Sequence, residues 1–252
     1  MSTATTVPSL QTFTLADLQP FTKEGIYAAN ASQDFHLFYA GRDDIHGILQ
    51  YLLSRAHVSL YLNMYGYDDD ELNDECMRCA GDPSITTLIT LDKTQAGGVH
   101  EKKLLETDMA SNPAAFRTHV ITLGRSATHQ ISHTKGGVLD GRVGFEGSTN
   151  WSAASEGTFV LNGRPGGPGY SAQNNTLTVF TDPDAVSRFA AELIAEHMAA
   201  ISGACDATPA LYPTGLSPGP VPAVRGRVRA TSAGARMAGR RPVVRRRADR
   251  RR

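Results

Sequence analysis

The stretch that decides how this chain is read runs from 133 to 150: His133-Thr134-Lys135-Gly136-Gly137-Val138-Leu139-Asp140-Gly141-Arg142-Val143-Gly144-Phe145-Glu146-Gly147-Ser148-Thr149-Asn150. Asp140-Gly141 is a turn-forming pair, so residues 131–139 and 143–145 read as the two strands of a hairpin. Residues two apart on a strand project from one face, which would let His133 and Lys135 reach the same bound group. A neutral imidazole is a competent nucleophile near neutral pH, and a covalent intermediate divides one hard displacement into two easier ones. The Lys135 ammonium and the Asn150 amide suit the non-bridging oxygens of a phosphoryl group, where transition-state charge accumulates. Gly147 would let the backbone come close to that phosphate. Such a site needs no divalent metal, because cationic side chains take its place, and no cofactor is expected.

The spacing is as informative as the residue types. His133-x-Lys135, four residues, Asp140, six residues, then Gly147-Ser148-x-Asn150 is HxKx4Dx6GSxN with every fixed position filled, followed by Trp151-Ser152. This resembles the signature of the phospholipase D superfamily. The resemblance implies two HxK motifs around one pocket, one His forming a phosphohistidine and the other protonating the leaving oxygen. The two must begin in opposite protonation states, a titration that belongs to the pair. It also groups Asp140 with the catalytic residues, in a supporting role, and places Ser148 in the phosphate pocket with Lys135 and Asn150. His100-Glu101-Lys102 is also an HxK, with Asp108 nearby, but no GSxN follows and the segment reads as helix. With one complete motif, the two-His mechanism calls for a homodimer, most simply one with two-fold symmetry. One departure stands out. Relatives with a single motif place a Glu after GSxN to orient the nucleophilic His, whereas this chain offers Gln173-Asn174-Asn175, with Asn174 as the substitute. An amide accepts a hydrogen bond from imidazole but does not stabilise imidazolium as a carboxylate does.

Outward from the motif, helical and strand periods alternate. Ile45, Ile48, Leu49, Leu52 and Leu53 recur at helical spacing behind Asp43 and Asp44. Val58, Leu60, Leu62 and Met64 alternate with polar residues, as in a strand. The run Asp68 to Glu71 opens a helix with Leu72, Cys76 and Cys79 on one face, and residues 85–91 form a β-branched strand. Residues 101–109 read as helix, 118–123 and 176–180 as strands. A last helix starts at Asp182-Pro183, with Val186, Phe189, Ala190, Leu193 and Ile194 facing inward. The expected fold is an α/β/α sandwich around a mixed, largely parallel sheet. Residues 1–33 read as a loose arm, 34–203 as the phospholipase D-like domain, and 204–252 as a disordered tail rich in Pro, Gly and Arg. The 162–169 stretch, Asn-Gly-Arg-Pro-Gly-Gly-Pro-Gly, reads as a loop bordering the pocket.

The formal net charge of zero conceals a division. The last 28 residues carry twelve arginines against Asp249 alone, +11, so the remainder is −11. Such a tail suits phosphate backbones or anionic headgroups. Cys76, Cys79 and Cys205 do not make a disulfide framework, and with Cys76 and Cys79 on an apolar helix face they read as core thiols rather than metal ligands. His119 and His129 have no motif support. No run is long enough to cross a membrane, and MSTATTVPSL has no signal-peptide pattern, so a cytoplasmic protein is expected. The expected activity is hydrolysis of a P–O bond in a phospholipid or nucleic acid. The competing reading is a non-catalytic phosphate- or nucleic-acid-binding module that keeps the pocket.

Overall fold

A computed structural model of the protein describes residues 9–23, 30–117, 120–126, 131–161 and 171–204. The chain divides into two compact units, Met1–Thr208 and Pro209–Arg252, and every described residue lies in the first. The arginine tail, the 162–169 loop, His119 and His129 lie outside the described residues.

Seven strands form one sheet: β1 (Phe35–Tyr39), β2 (Ser59–Met64), β3 (Thr86–Asp92), β4 (Ile121–Gly124), β5 (Lys135–Leu139), β6 (Val143–Gly147) and β7 (Thr176–Phe180). Their order is β1-β7-β6-β5-β2-β3-β4. The sheet is mixed, as expected, but antiparallel pairing dominates. Only β2–β3 and β3–β4 are parallel, against four antiparallel pairings. The reason is the connections. The helices α2 (Asp70–Gly81), then α3 (Val99–Ser111) with α4 (Pro113–Arg117), supply the crossovers that parallel strands require, whereas β5 and β6 are joined by a tight turn.

Helices cover both faces. The alternation of β2 separates two cores: Leu60, Leu62 and Met64 join the larger one, while Tyr61 faces Val138, Val186 and Leu193. The larger core is closed by α1 (Ile45–Leu53), whose five apolar positions are all buried and whose N-cap Asp44 accepts the Gly47 N–H, and by α2 with Leu72, Cys76 and Cys79 buried. After the short helices α5 (Ala153–Glu156) and α6 (Thr158–Leu161), the opposite face is covered by α7 (Pro183–Ala204), through Val186 and Leu193 with Phe189 and Ala190 beside them. Two features differ from the reading of the sequence. The segment taken as a loose arm holds two 3₁₀ helices, Leu10–Thr12 and Leu15–Phe21, whose Leu10, Leu15 and Leu18 are buried in the larger core. Strand β1, not picked out by any period in the sequence, pairs with β7 from Phe35 to Tyr39.

Among the described residues no helix is long and apolar enough to cross a membrane. His100 and Lys102 sit on α3, in the segment that reads as helix, with His100 exposed and 3.6 Å from Asp68.

Candidate active site

The register of β5 against its neighbours assembles the site. Met64, the last residue of β2, pairs with Lys135, the first of β5, and Gly136 pairs with Glu146 of β6. One step further along the same antiparallel register, Lys135 comes level with Gly147, so the HxK and GSxN segments leave the sheet at the same end.

His133 itself is not on the strand. Residues 132–134 precede β5, and their path is fixed by other contacts. The buried Asp92 carboxylate at the end of β3 accepts the Ser132 N–H at 2.7 Å, and the Ser132 hydroxyl donates to Asn63 Oδ1 at 2.7 Å. The Tyr65 N–H donates to the Thr134 carbonyl at 3.0 Å. Asp92 is bound in turn by Thr94, through both its N–H and its hydroxyl. The expected sharing of one strand face by His133 and Lys135 therefore gives way to a different contact. His133 is exposed and Lys135 is buried at 4% exposure, yet Lys135 Nζ donates to the His133 carbonyl at 2.6 Å.

Tyr65, directly after β2, joins the two. Its ring lies 4.6 Å from the His133 ring, and Lys135 Nζ lies 4.7 Å above it, a cation–π contact. Gln95 Nε2 donates to its hydroxyl at 2.9 Å. Tyr65 thus packs against both the His133 ring and the Lys135 ammonium. Its only signal in the sequence is position: it stands at the C-terminal end of a central strand, where α/β sheets gather their sites. Burial pushes the Lys135 ammonium below the usual lysine range, opposed by the charges of Glu146 and Asp92. Burial likewise raises Glu146, opposed by Lys135.

The GSxN segment is held from behind. Ser148 Oγ donates to Asn175 Oδ1 and accepts the Thr176 N–H, both at 3.0 Å. The Asn150 N–H donates to Ser155 Oγ at 2.8 Å, and Asn175 Nδ2 donates to the same oxygen at 2.7 Å. The amide that joins this network is Asn175, which is buried, while its neighbour Asn174 is exposed. Asn150 Oδ1 is buried and has no hydrogen-bond partner. Gly66 packs directly on Asn150, since a Cβ there would lie 2.9 Å from the Asn150 Cγ. Gly147 has a structural reason for lacking a side chain: a Cβ would collide with the Thr176 carbonyl of β7.

Asp140 is not brought to this group. It sits at the opposite end of β5, with φ 53° followed by Gly141 at φ 62°, the positive pair of a primed hairpin turn. Its carboxylate accepts the backbone N–H groups of His57, Val58 and Ser59 at 2.8 to 3.2 Å. It ties the hairpin to the start of β2.

A cleft of about 440 Å³ opens beside His133, lined also by Asn63, Ser132, Thr134, Phe189 and three carboxylates, Glu146, Glu192 and Glu196.

The fold and site together define an α/β sandwich with a histidine–lysine–tyrosine centre at one end of the sheet. The chain is similar to a phospholipase D family member, Nuc, from Salmonella typhimurium, with 15% identity and a TM-score of 0.47 over 64% of this chain and 92% of that one. It is similar to NucT from Helicobacter pylori, with 13% identity and a TM-score of 0.47 over 66% and 96%. A third likeness is to phosphatidylserine synthase from Haemophilus influenzae, with 13% identity and a TM-score of 0.46 over 69% and 38%. No protein-family model and no curated protein matches the sequence.

Proposed function

We propose that this protein is a phosphodiesterase of the phospholipase D type, with His133 as nucleophile and two copies of the chain sharing one reaction centre. The observation that carries the reading is the contact of His133 with Lys135 and Tyr65 within a complete HxKx4Dx6GSxN sequence.

In the first step an imidazole nitrogen of His133 bonds to phosphorus and the P–O bond to the leaving alcohol breaks. The alcohol oxygen takes a proton from the His133 of the second copy. That imidazole, now neutral, removes a proton from water. The hydroxide attacks phosphorus, the N–P bond breaks, and the monoester leaves. Lys135 has N–H groups beyond the one given to the His133 carbonyl, and these, with the Asn150 amide, suit the equatorial oxygens. The chemistry routes through no metal.

The walls of the cleft bear on the substrate. Glu146, Glu192 and Glu196 beside the nucleophile repel a polyanion and suit a diester whose leaving alcohol carries an ammonium group. This favours a phospholipid headgroup over a nucleic acid.

The test is hydrolysis of bis(p-nitrophenyl) phosphate in EDTA, with phosphatidylcholine vesicles and plasmid DNA alongside. Turnover of the small diester is expected for the wild type and lost by about 10³-fold or more in His133→Ala, the scale seen when a nucleophile is removed. Phosphatidylcholine is expected to be cleaved faster than DNA. Equal rates for wild type and His133→Ala would reject the reading.

A further inference from the structure

Behind the 147–152 segment lies a second polar cluster that this chemistry leaves unused. His46 of α1, Asp69 at the N-cap of α2, and Glu156 of the short helix α5 (Ala153–Glu156) bring ligand atoms to within 4.8 Å of one another. His46 Nδ1 is 2.9 Å from Glu156 Oε2 and 3.4 Å from Asp69 Oδ2. Glu156 is fully buried, and its other oxygen, Oε1, has no hydrogen-bond partner. Asp69 Oδ1 accepts the Leu72 N–H, which leaves Oδ2 turned to His46. On the far side of the ring, His46 Nε2 is 3.0 Å from Glu71 Oε2.

We propose that His46, Asp69 and Glu156 form a binding site for a divalent first-row cation of the zinc type, with Glu71 holding the histidine in place.

Three features support the site. Ligand atoms bound at roughly 2.0–2.1 Å in a tetrahedron stand about 3.3 Å apart, and the observed separations around Nδ1 fall near that value. A metal-ligating imidazole usually gives its other N–H to a carboxylate, the place Glu71 occupies. Three carboxylates around one imidazole leave negative charge that a single imidazolium does not balance, and a buried carboxylate oxygen without a partner is costly. Without an ion, a proton shared between His46 Nδ1 and Glu156 Oε2, 2.9 Å apart, takes its place. The cation would tie α1, α2 and α5 together directly behind the GSxN segment. The Glu156 N–H donates to the Ser152 carbonyl and the Asp68 N–H to the Trp151 carbonyl, so both sides of the cluster bond to residues just after Asn150. Its role is to hold that segment, and it stands whether or not His133 is a nucleophile.

The full-length protein, stripped with chelator and dialysed, is titrated with zinc chloride in a calorimeter, and its thermal unfolding is followed with and without zinc. One ion per chain and a rise in melting temperature are expected. Glu156→Gln and His46→Gln should abolish the stoichiometric binding, and Glu71→Gln should weaken it by about 10- to 100-fold. His57→Gln, beside Asp140 at the other end of β2 from Tyr65, should bind as the wild type does. Absence of stoichiometric binding by the wild type overturns the proposal and leaves a cluster held by protons alone. So does undiminished binding by folded Glu156→Gln, which would place the ion elsewhere. If His46→Gln fails to fold, the wild-type and Glu156→Gln titrations still decide.

Discussion

Lys135 carries its ammonium into a buried position, where desolvation works against the charge. Its folded pKa lies below the unfolded value, so the folded state holds the proton less well. The resulting loss of stability is fully present below the folded pKa and disappears as pH rises through the unfolded lysine range. Lys135→Met should therefore remove catalysis without lowering the melting temperature at neutral pH. Any gain in stability should shrink as pH approaches that range, as calorimetry across pH will show. Asp140 holds structure instead. It accepts three backbone N–H groups at the far end of β5, so Asp140→Ala should cost about 1.5–3 kcal/mol in chemical unfolding, the usual worth of hydrogen bonds to a charged acceptor. Turnover per folded molecule should survive. Asp140→Asn, which tolerates the positive φ, should recover much of the stability. Tyr65→Ala should lower kcat by removing the surface on which the His133 ring rests, whereas Tyr65→Phe should retain most of it. At this scale the sequence named His133, Lys135, Ser148 and Asn150 through their spacing. It passed over Tyr65, which reaches the site through the antiparallel pairing of β2 with β5, and Asp92, which reaches it through the parallel pairing of β2 with β3; no local pattern encodes either.

The elements that could be read in advance are those whose own periodicity settles them. In α1 five apolar residues at helical spacing are all buried, and in α2 Leu72, Cys76 and Cys79 share the buried face. Burial raises both thiols, Cys79 to about 11, so neither forms a thiolate near neutral pH. In a Cys205→Ser background the native protein should not react with Ellman's reagent over minutes, while denaturation should expose two thiols. Rapid native labelling would show that α2 is not packed as described. Elements fixed by long-range partners were less legible. Residues 131–134 have the composition of a strand, but Asp92 draws the Ser132 N–H out of any ladder. The 3₁₀ segments near the N-terminus are too short to show a period, and they order because Leu10, Leu15 and Leu18 find the core.

Across the whole molecule, charge and symmetry are the remaining determinants. The acidic body and the +11 tail are separable in sequence, and the reaction proposed here draws only on residues of the first unit. A chain ending at residue 208 should keep its hydrolysis of a small diester, measured per mole of folded protein. A loss would assign the arginines a part in catalysis. Because the one complete HxK motif supplies one histidine, activity per chain should fall on dilution in step with the dimer fraction seen by sedimentation velocity. An active monomer would contradict the shared centre.

The central claim is the covalent intermediate on His133. The direct measurement is mass spectrometry of peptides from protein quenched in alkali during turnover, conditions under which a phosphohistidine survives. A phosphoryl adduct on the peptide carrying His133, absent from His133→Ala, is the predicted result. Turnover with no adduct, or an adduct on another residue, would contradict it.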